Sequence, residues 1–193
     1  MGGGGRGSCR AAGAVNAPDV VRAPGFPNAH RGKLRAVPAT KSAGVLLYRY
    51  AAEGGLEVLI GHMGGPFWAR KDSGGWSIPK GEHAPGEQPL DVARREFAEE
   101  LGSPVPAGEF LDLGELRTSS AKLLTVFAAE GDLDPAGARS NTFDLEWPPR
   151  SGRIQQFPEI DRAGWFLVAE AREKLVKGQV AFLDRLLARL ANG

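Results

Sequence analysis

Apolar residues along this chain fall into two rhythms, one that fits buried strands and one that fits helices. SAGVLLYRY (42–50) and LEVLIGH (56–62) are near-continuous aliphatic runs separated by the turn formers AAEGG, the pattern of a buried hairpin. WSIP (76–79) reads as a short strand running into Lys80. EFLDLGEL (109–116) and AKLLTVFAA (121–129) predict a second hairpin across RTSS, and GWFLV (164–168) a last strand. A helical period appears over 89–101 and again over 179–190, where Val180, Leu183, Leu187 and Leu190 form one stripe. Strands gathered around one early and one C-terminal helix predict an α/β or α+β domain with a mixed sheet covered on both faces. The stretch 131–152, GDLDPAGARSNTFDLEWPPRSG, is too long and too rich in turn formers for a plain connection, and loops of that length are usually functional or mobile.

The first helix is sharply bounded. Pro89 suits the first helical position, Asp91 lies near the positive end of the helix dipole, and Gly102 followed by Ser103-Pro104 stops the element. At about 100° per residue, Leu90, Ala93, Phe97 and Leu101 share a stripe that must face the core. Glu96, Glu99 and Glu100 fall on a neighbouring arc at the edge of that stripe. Like charges four residues apart repel by a few tenths of a kcal/mol. Arg95 can reach Glu99 at the same spacing, which offsets only part of the repulsion. Such an edge is either a solvated charged face or a place for a hard cation, since Mg²⁺ takes one or two carboxylates, several waters and phosphate oxygens.

Composition narrows the field. The chain has 193 residues, a formal net charge of +1 and 42% hydrophobic residues, enough for one sizeable core. No apolar run approaches the ~20 residues of a membrane helix, and near-neutral charge argues against a bulk basic surface for nucleic acid. The single cysteine, Cys9, rules out intrachain disulfides and cysteine-clustered metal sites, and agrees with a reducing, cytoplasmic setting. Residues 1–38 are rich in glycine, alanine, proline and arginine, with Asp19 the one acidic residue. They lack the apolar core of a secretory signal, and Arg6 stands where a myristoylation site would want Ser or Thr. We expect a disordered extension there, an organelle transit peptide being the other reading, and a domain over 39–193.

Residues 81–103 then resemble the signature of the Nudix hydrolase family, Gly-x5-Glu-x7-Arg-Glu-U-x-Glu-Glu-x-Gly-U with U bulky and apolar. Gly81, Glu87, Arg95, Glu96, Phe97, Glu99, Glu100 and Gly102 occupy their places, and Ser103 departs from the final apolar position. The resemblance implies a Nudix-type α/β/α sandwich with a mixed sheet. It also implies hydrolysis of a nucleoside diphosphate linked to another group, with Mg²⁺ or Mn²⁺ as cofactor. Carried onto this chain, Glu96, Glu99 and Glu100 would ligate metal together with a backbone carbonyl near Lys80–Gly81. Arg95 would orient the carboxylates, Glu87 would bind the metal outer-sphere or steady the loop, and Gly86 would make the turn before the helix. The general base would be Glu96, Glu99 or a glutamate on a later loop; Glu130, Glu146 and Glu159 are the outside candidates, and Glu159, just before the last strand, is preferred.

The approach WSIPKGE resembles members acting on dinucleoside polyphosphates or diphosphoinositol phosphates. Lys80 would meet the polyphosphate, with Lys71 and Arg70 adding charge, unless it is an ordinary solvated lysine beside a turn. Phe67, Trp68 and Trp76 could stack a base or belong to the core; Trp165 is read as core. Nothing after the signature resembles the SQPWPFPxS array of NADH-directed members. The expected partner is a nucleotide bound by a monomer or homodimer, without membrane or nucleic acid. Two further readings stay open: a catalytically silent nucleotide- or RNA-binding regulator on the same fold, and a housecleaning nucleoside triphosphate pyrophosphatase.

Overall fold

The computed structural model describes residues 39–192, and the expectations for residues 1–38 lie outside them. Its frame is a seven-stranded mixed sheet. Strand β1 (Thr40–Tyr50) is central and pairs in parallel with β6 (Lys122–Glu130), which pairs in turn with antiparallel β5 (Phe110–Ser119). On its other side β1 meets two partners in succession. β4 (Lys80–Glu82) pairs with Ser42–Gly44, and β2 (Leu56–Met63) with Tyr48–Tyr50. β3 (Trp76–Ser77) and β9 (Ile160–Leu167) both pair with β2.

Alternation along β1 builds the layers. Val45 and Leu47 point to one face, where Val92, Ala93, Phe97 and Leu101 of helix α1 (Pro89–Leu101) cover them. Leu46 and Tyr48 point to the other, against Ala171 of α2 (Val168–Lys174) and Phe182, Leu183 and Leu186 of α3 (Ala181–Ala191). A strand covered on both faces must be apolar throughout, which is why 43–47 shows no polar alternation. The result is an α/β/α sandwich, as expected. Phe97 is fully buried, and its truncation to alanine would cost about 3–5 kcal/mol.

The structure corrects four local readings. WSIP is not one strand: it breaks at Ile78–Pro79, and the freed Ile78 N–H donates to Oε1 of buried Gln179 at 2.8 Å. Val168 begins α2 rather than ending a strand, and β9 starts earlier, at Ile160. On α3 the buried face centres on Phe182, Leu183 and Leu186, leaving Leu187 42% exposed. The 131–152 stretch contains β7 (Thr142–Glu146), which forms a separate two-stranded hairpin with β8 (Ile154–Pro158). Among the described residues, no helix is long and apolar enough to cross a membrane.

Candidate active site

Helix α1 carries the acidic cluster to the sheet. Pro89 stands at its start behind Gln88, which makes no side-chain cap, and Gly102 ends it at φ 70°, its N–H donating to Ala98 O at 2.9 Å. Ahead of the helix, Gly86 turns the chain at φ 93°. The Ala84 N–H donates to Glu87 at 2.7 Å, and Arg95 donates to the other Glu87 oxygen at 2.8 Å. These bonds, the Ala84 amide first and Arg95 second, hold the Glu87 carboxyl below its usual range. Arg95 also donates to Glu96 at 3.0 Å and lies 3.8 Å from Glu99. One guanidinium therefore relieves repulsion that the glutamate spacing would otherwise leave uncompensated.

The three glutamates do not share one environment. The buried face of α1 is rotated from the expected stripe: Val92 lies inside it, Leu90 is only half-buried, and Glu100 falls within the buried arc. Glu96 is half-buried and Glu99 is exposed beside Arg95. Burial pushes the Glu100 carboxyl up to about 8, against the opposing pull of the Lys80 ammonium and the Lys80 N–H, which donates to it at 3.1 Å. Glu159 and Glu96 nearby push the same way as burial.

Beside this helix edge lies a cleft of about 400 Å³. Glu96, Glu100, Lys80, Gly81, Glu159 and Trp68 all line it, so six of the residues singled out by sequence meet there. Gly81 lets the strand pass close to the Glu96 carboxylate, which a Cβ at this position would have to displace. Glu130 sits at the opposite end of β6 from the cleft-lining Leu123 and Leu124, about 20 Å away along the strand. Glu146 is turned to its own hairpin, accepting from Gly152 N–H at 2.8 Å. Of the outside candidates for a base, Glu159 is the one in the cleft.

Three expected substrate contacts fall elsewhere. Trp76 is 4% exposed, packed edge-on against Phe166 and His62, with its indole N–H donating to Asp72 at 3.0 Å. It is a core residue because β3 sets Trp76 opposite His62 of β2 on one side and bridges it to Leu175, just after α2, on the other. Arg70 and Lys71 are exposed and do not line the cleft; the Lys71 ammonium lies 4.7 Å from the centre of the Trp68 ring. Sequence reasoning missed Lys122 and Thr118, which enter from the β5–β6 turn, and Phe143 from β7. Only the unusual length of 131–152 hinted at Phe143, and nothing in the pattern marked Lys122.

The donor set suits a hard divalent cation. Among the described residues, no three acidic, histidine or cysteine side chains already form a closed cage. Mg²⁺ does not need one, since it retains waters and takes substrate phosphate oxygens. Glu96, whose carboxylate packs against Gly81, and Glu100, bonded to the Lys80 N–H, offer the one or two carboxylates such an ion takes.

The family profile described as NUDIX domain matches residues 40–186. Among solved structures, a C. elegans Ap4A hydrolase binary complex is similar at 20% identity and TM-score 0.55, over 80% of this chain and 100% of that one. A mutT/nudix family protein from Listeria innocua aligns at 16% identity and TM-score 0.54, over 81% and 96%. The NUDIX domain of Shewanella oneidensis NrtR, complexed with ADP ribose, aligns at 16% identity and TM-score 0.53, over 80% and 90%. No curated protein matches the sequence. At such identities the likenesses speak for the fold, and it is the profile match across most of the chain, laid over the intact glutamate helix, that establishes that this protein belongs to the Nudix hydrolase family.

Proposed function

We propose that the protein hydrolyses a phosphoanhydride bond in a polyphosphorylated nucleotide, with a dinucleoside polyphosphate as the preferred substrate, using Mg²⁺ or Mn²⁺. The observation that carries this reading is the composition of one cleft: Glu96, Glu100 and Glu159 share it with Lys80, Lys122 and Trp68. Acidic groups able to hold cations, two lysines for further phosphates and an aromatic ring for a base are the elements such a substrate needs. The similar Ap4A hydrolase fold agrees with this choice of substrate but does not decide it.

Glu96 and Glu100 would hold the divalent ion together with a carbonyl of the Lys80–Gly81 segment. When bound, that ion supplies positive charge against the phosphate oxygens and makes water a better nucleophile. Glu159 would accept the proton of the attacking water on a carboxylate oxygen. Arg95, bonded to Glu87 and Glu96, fixes the Glu96 carboxylate so that little reorganisation is needed. Lys80 and Lys122 would bind the non-reacting phosphates, and Trp68 would stack on a base.

A panel of nucleotides incubated with Mg²⁺ or Mn²⁺ and read by mass spectrometry tests this. Diadenosine tetraphosphate should be cleaved faster than any deoxynucleoside triphosphate, and chelation should abolish turnover. Faster cleavage of triphosphates would leave the chemistry and replace the substrate. Nucleotide binding without any product would assign the cleft to a regulator.

A further inference from the structure

His62 is a fully buried titratable side chain that the reaction above does not use. It lies on β2, and both of its ring nitrogens are engaged. Nδ1 meets Asp161 Oδ1 at 2.7 Å, and Nε2 meets the Lys71 carbonyl oxygen at 2.8 Å. A carbonyl can only accept, so the proton at that contact belongs to Nε2. Asp161 on β9 sets the ring's orientation from the other side, and Trp76 packs edge-on against it at 5.2 Å.

What this bond holds is the turn that carries Trp68. The turn begins at Gly65, whose positive φ of 84° lets its carbonyl receive the N–H groups of both Trp68 and Ala69 at 3.2 Å. It closes where the Lys71 N–H donates to Trp68 O at 2.7 Å. Beyond it, residues 72–74 are tied to α2: Asp72 takes Lys174, and Ser73 and Gly74 donate to Glu173 O. The Lys71 carbonyl is thus the point at which the Trp68 turn is fastened to the sheet. Gly75 passes so close that a Cβ there would overlap this same carbonyl. A continuous chain of contacts therefore runs from His62 Nε2 through the Lys71 peptide to Trp68 and the cleft.

We propose that His62 is a positioning residue for substrate recognition: its Nε2–H bond to the Lys71 carbonyl fixes the 65–71 turn and thereby places Trp68 at the wall of the cleft for the substrate's base. The role of Trp68 rests on the function proposed above. The fastening itself does not.

Two nearly isosteric substitutions separate the bonds. His62→Gln keeps an N–H donor near the Nε2 position and so retains the Lys71 contact. His62→Asn keeps a donor near Nδ1 and loses it. Hydrogen exchange of the full-length protein, read by mass spectrometry, should show faster exchange confined to residues 65–71 in His62→Asn and wild-type protection in His62→Gln. With diadenosine tetraphosphate, His62→Asn and Trp68→Ala should each raise KM about tenfold, with kcat within twofold of wild type, and the two effects should not add. Gly75→Ala, which displaces the carbonyl from the other side, should reproduce His62→Asn and serves if the buried variants fail to fold. Unchanged exchange in both His62→Asn and Gly75→Ala would overturn the proposal. So would equal loosening by Gln and Asn, the mark of a merely structural histidine. A KM rise in Trp68→Ala without one in His62→Asn would overturn it while sparing the functional reading. Absence of turnover in the wild type, with the exchange pattern as expected, would overturn the functional reading and leave the fastening intact.

Discussion

The backbone N–H of Lys80 donates to Oε2 of Glu100 at 3.1 Å, joining the first residue of β4 to the buried side of α1. The bond fixes the segment whose carbonyl would face a cation, and it gives one oxygen of a buried carboxyl a partner. It does not offset the cost of removing that carboxyl from water, so burial pushes the Glu100 carboxyl up to about 8.

This sets a pH dependence with a definite sign. The folded protein holds the Glu100 proton more tightly than the unfolded chain, whose carboxyl titrates near 4.5. The associated stability is complete below 4.5 and is lost as pH rises through about 8. In chelator, the melting temperature should therefore fall between those limits, and Glu100→Gln should flatten the slope and melt higher than wild type at pH 8. Divalent ion should reverse the order of the two proteins. Parallel slopes for wild type and Glu100→Gln would contradict the burial argument.

Catalysis should separate the glutamates by environment. If Glu96 and Glu100 hold the cation as proposed, Glu96→Gln and Glu100→Gln should each lower kcat by at least about 10²-fold with the fold retained, since each would remove a cation ligand while keeping the side-chain shape. Glu99, exposed and 3.8 Å from Arg95, should respond less than either. Circular dichroism would verify folding, and kcat at saturating Mg²⁺ would decide. A Glu99→Gln defect equal to the other two would mean that the helix edge closes around the ion in a way the free protein does not show.

Gly81→Ala tests the fit of strand against helix. The added Cβ must displace the Glu96 carboxylate, since the strand is fixed by pairing with Ala43. A displacement of about 1 Å should cost on the order of 10²-fold in kcat/KM. Melting temperature should change by far less than for a core truncation such as Phe97→Ala. Wild-type activity in Gly81→Ala would show that the carboxylate is free to move.

Much of this was readable from sequence, for identifiable reasons. The period of α1 and the aliphatic runs of β1 and β2 give the sandwich, because burial on both faces leaves only one reading of such runs. The signature spacing placed Glu96, Glu100, Gly81 and Lys80 in one cleft because they sit on two adjoining elements. What pattern could not supply was long-range packing. Trp76 and Trp68 are eight residues apart and equally aromatic, yet one is core and one lines the cleft, because β3 pairs with β2 while the 65–71 turn does not. Glu100 looked like its neighbours until the helix was seated, and the seat is set by Val92 as much as by Leu101. The β7–β8 hairpin was hidden because its strands bury little: Asp144 and Gln156 face each other in register, and both are exposed.

The same contrast decides which cations line the cleft. Sequence pointed to Lys80 with Arg70 and Lys71, but the cleft is lined by Lys80 and Lys122, while Lys71 is exposed over the Trp68 ring. Lys122 is exposed at the first residue of β6, and Lys80 is half-buried in β4; both strands border β1 at its N-terminal half, on opposite sides. On the proposed reading, a phosphate chain long enough to meet both lysines would gain from each, whereas a triphosphate held at the glutamates would engage fewer. Each contact raises kcat/KM only as far as it strengthens in the transition state. Lys122→Ala should therefore reduce kcat/KM for diadenosine tetraphosphate by about tenfold and for a deoxynucleoside triphosphate by no more than about twofold. Lys71→Ala, which removes a side chain outside the cleft but leaves its carbonyl on His62, should leave both within about twofold. Equal losses on the two substrates in Lys122→Ala would show that this lysine acts on the shared part of the nucleotide and that chain length is read elsewhere.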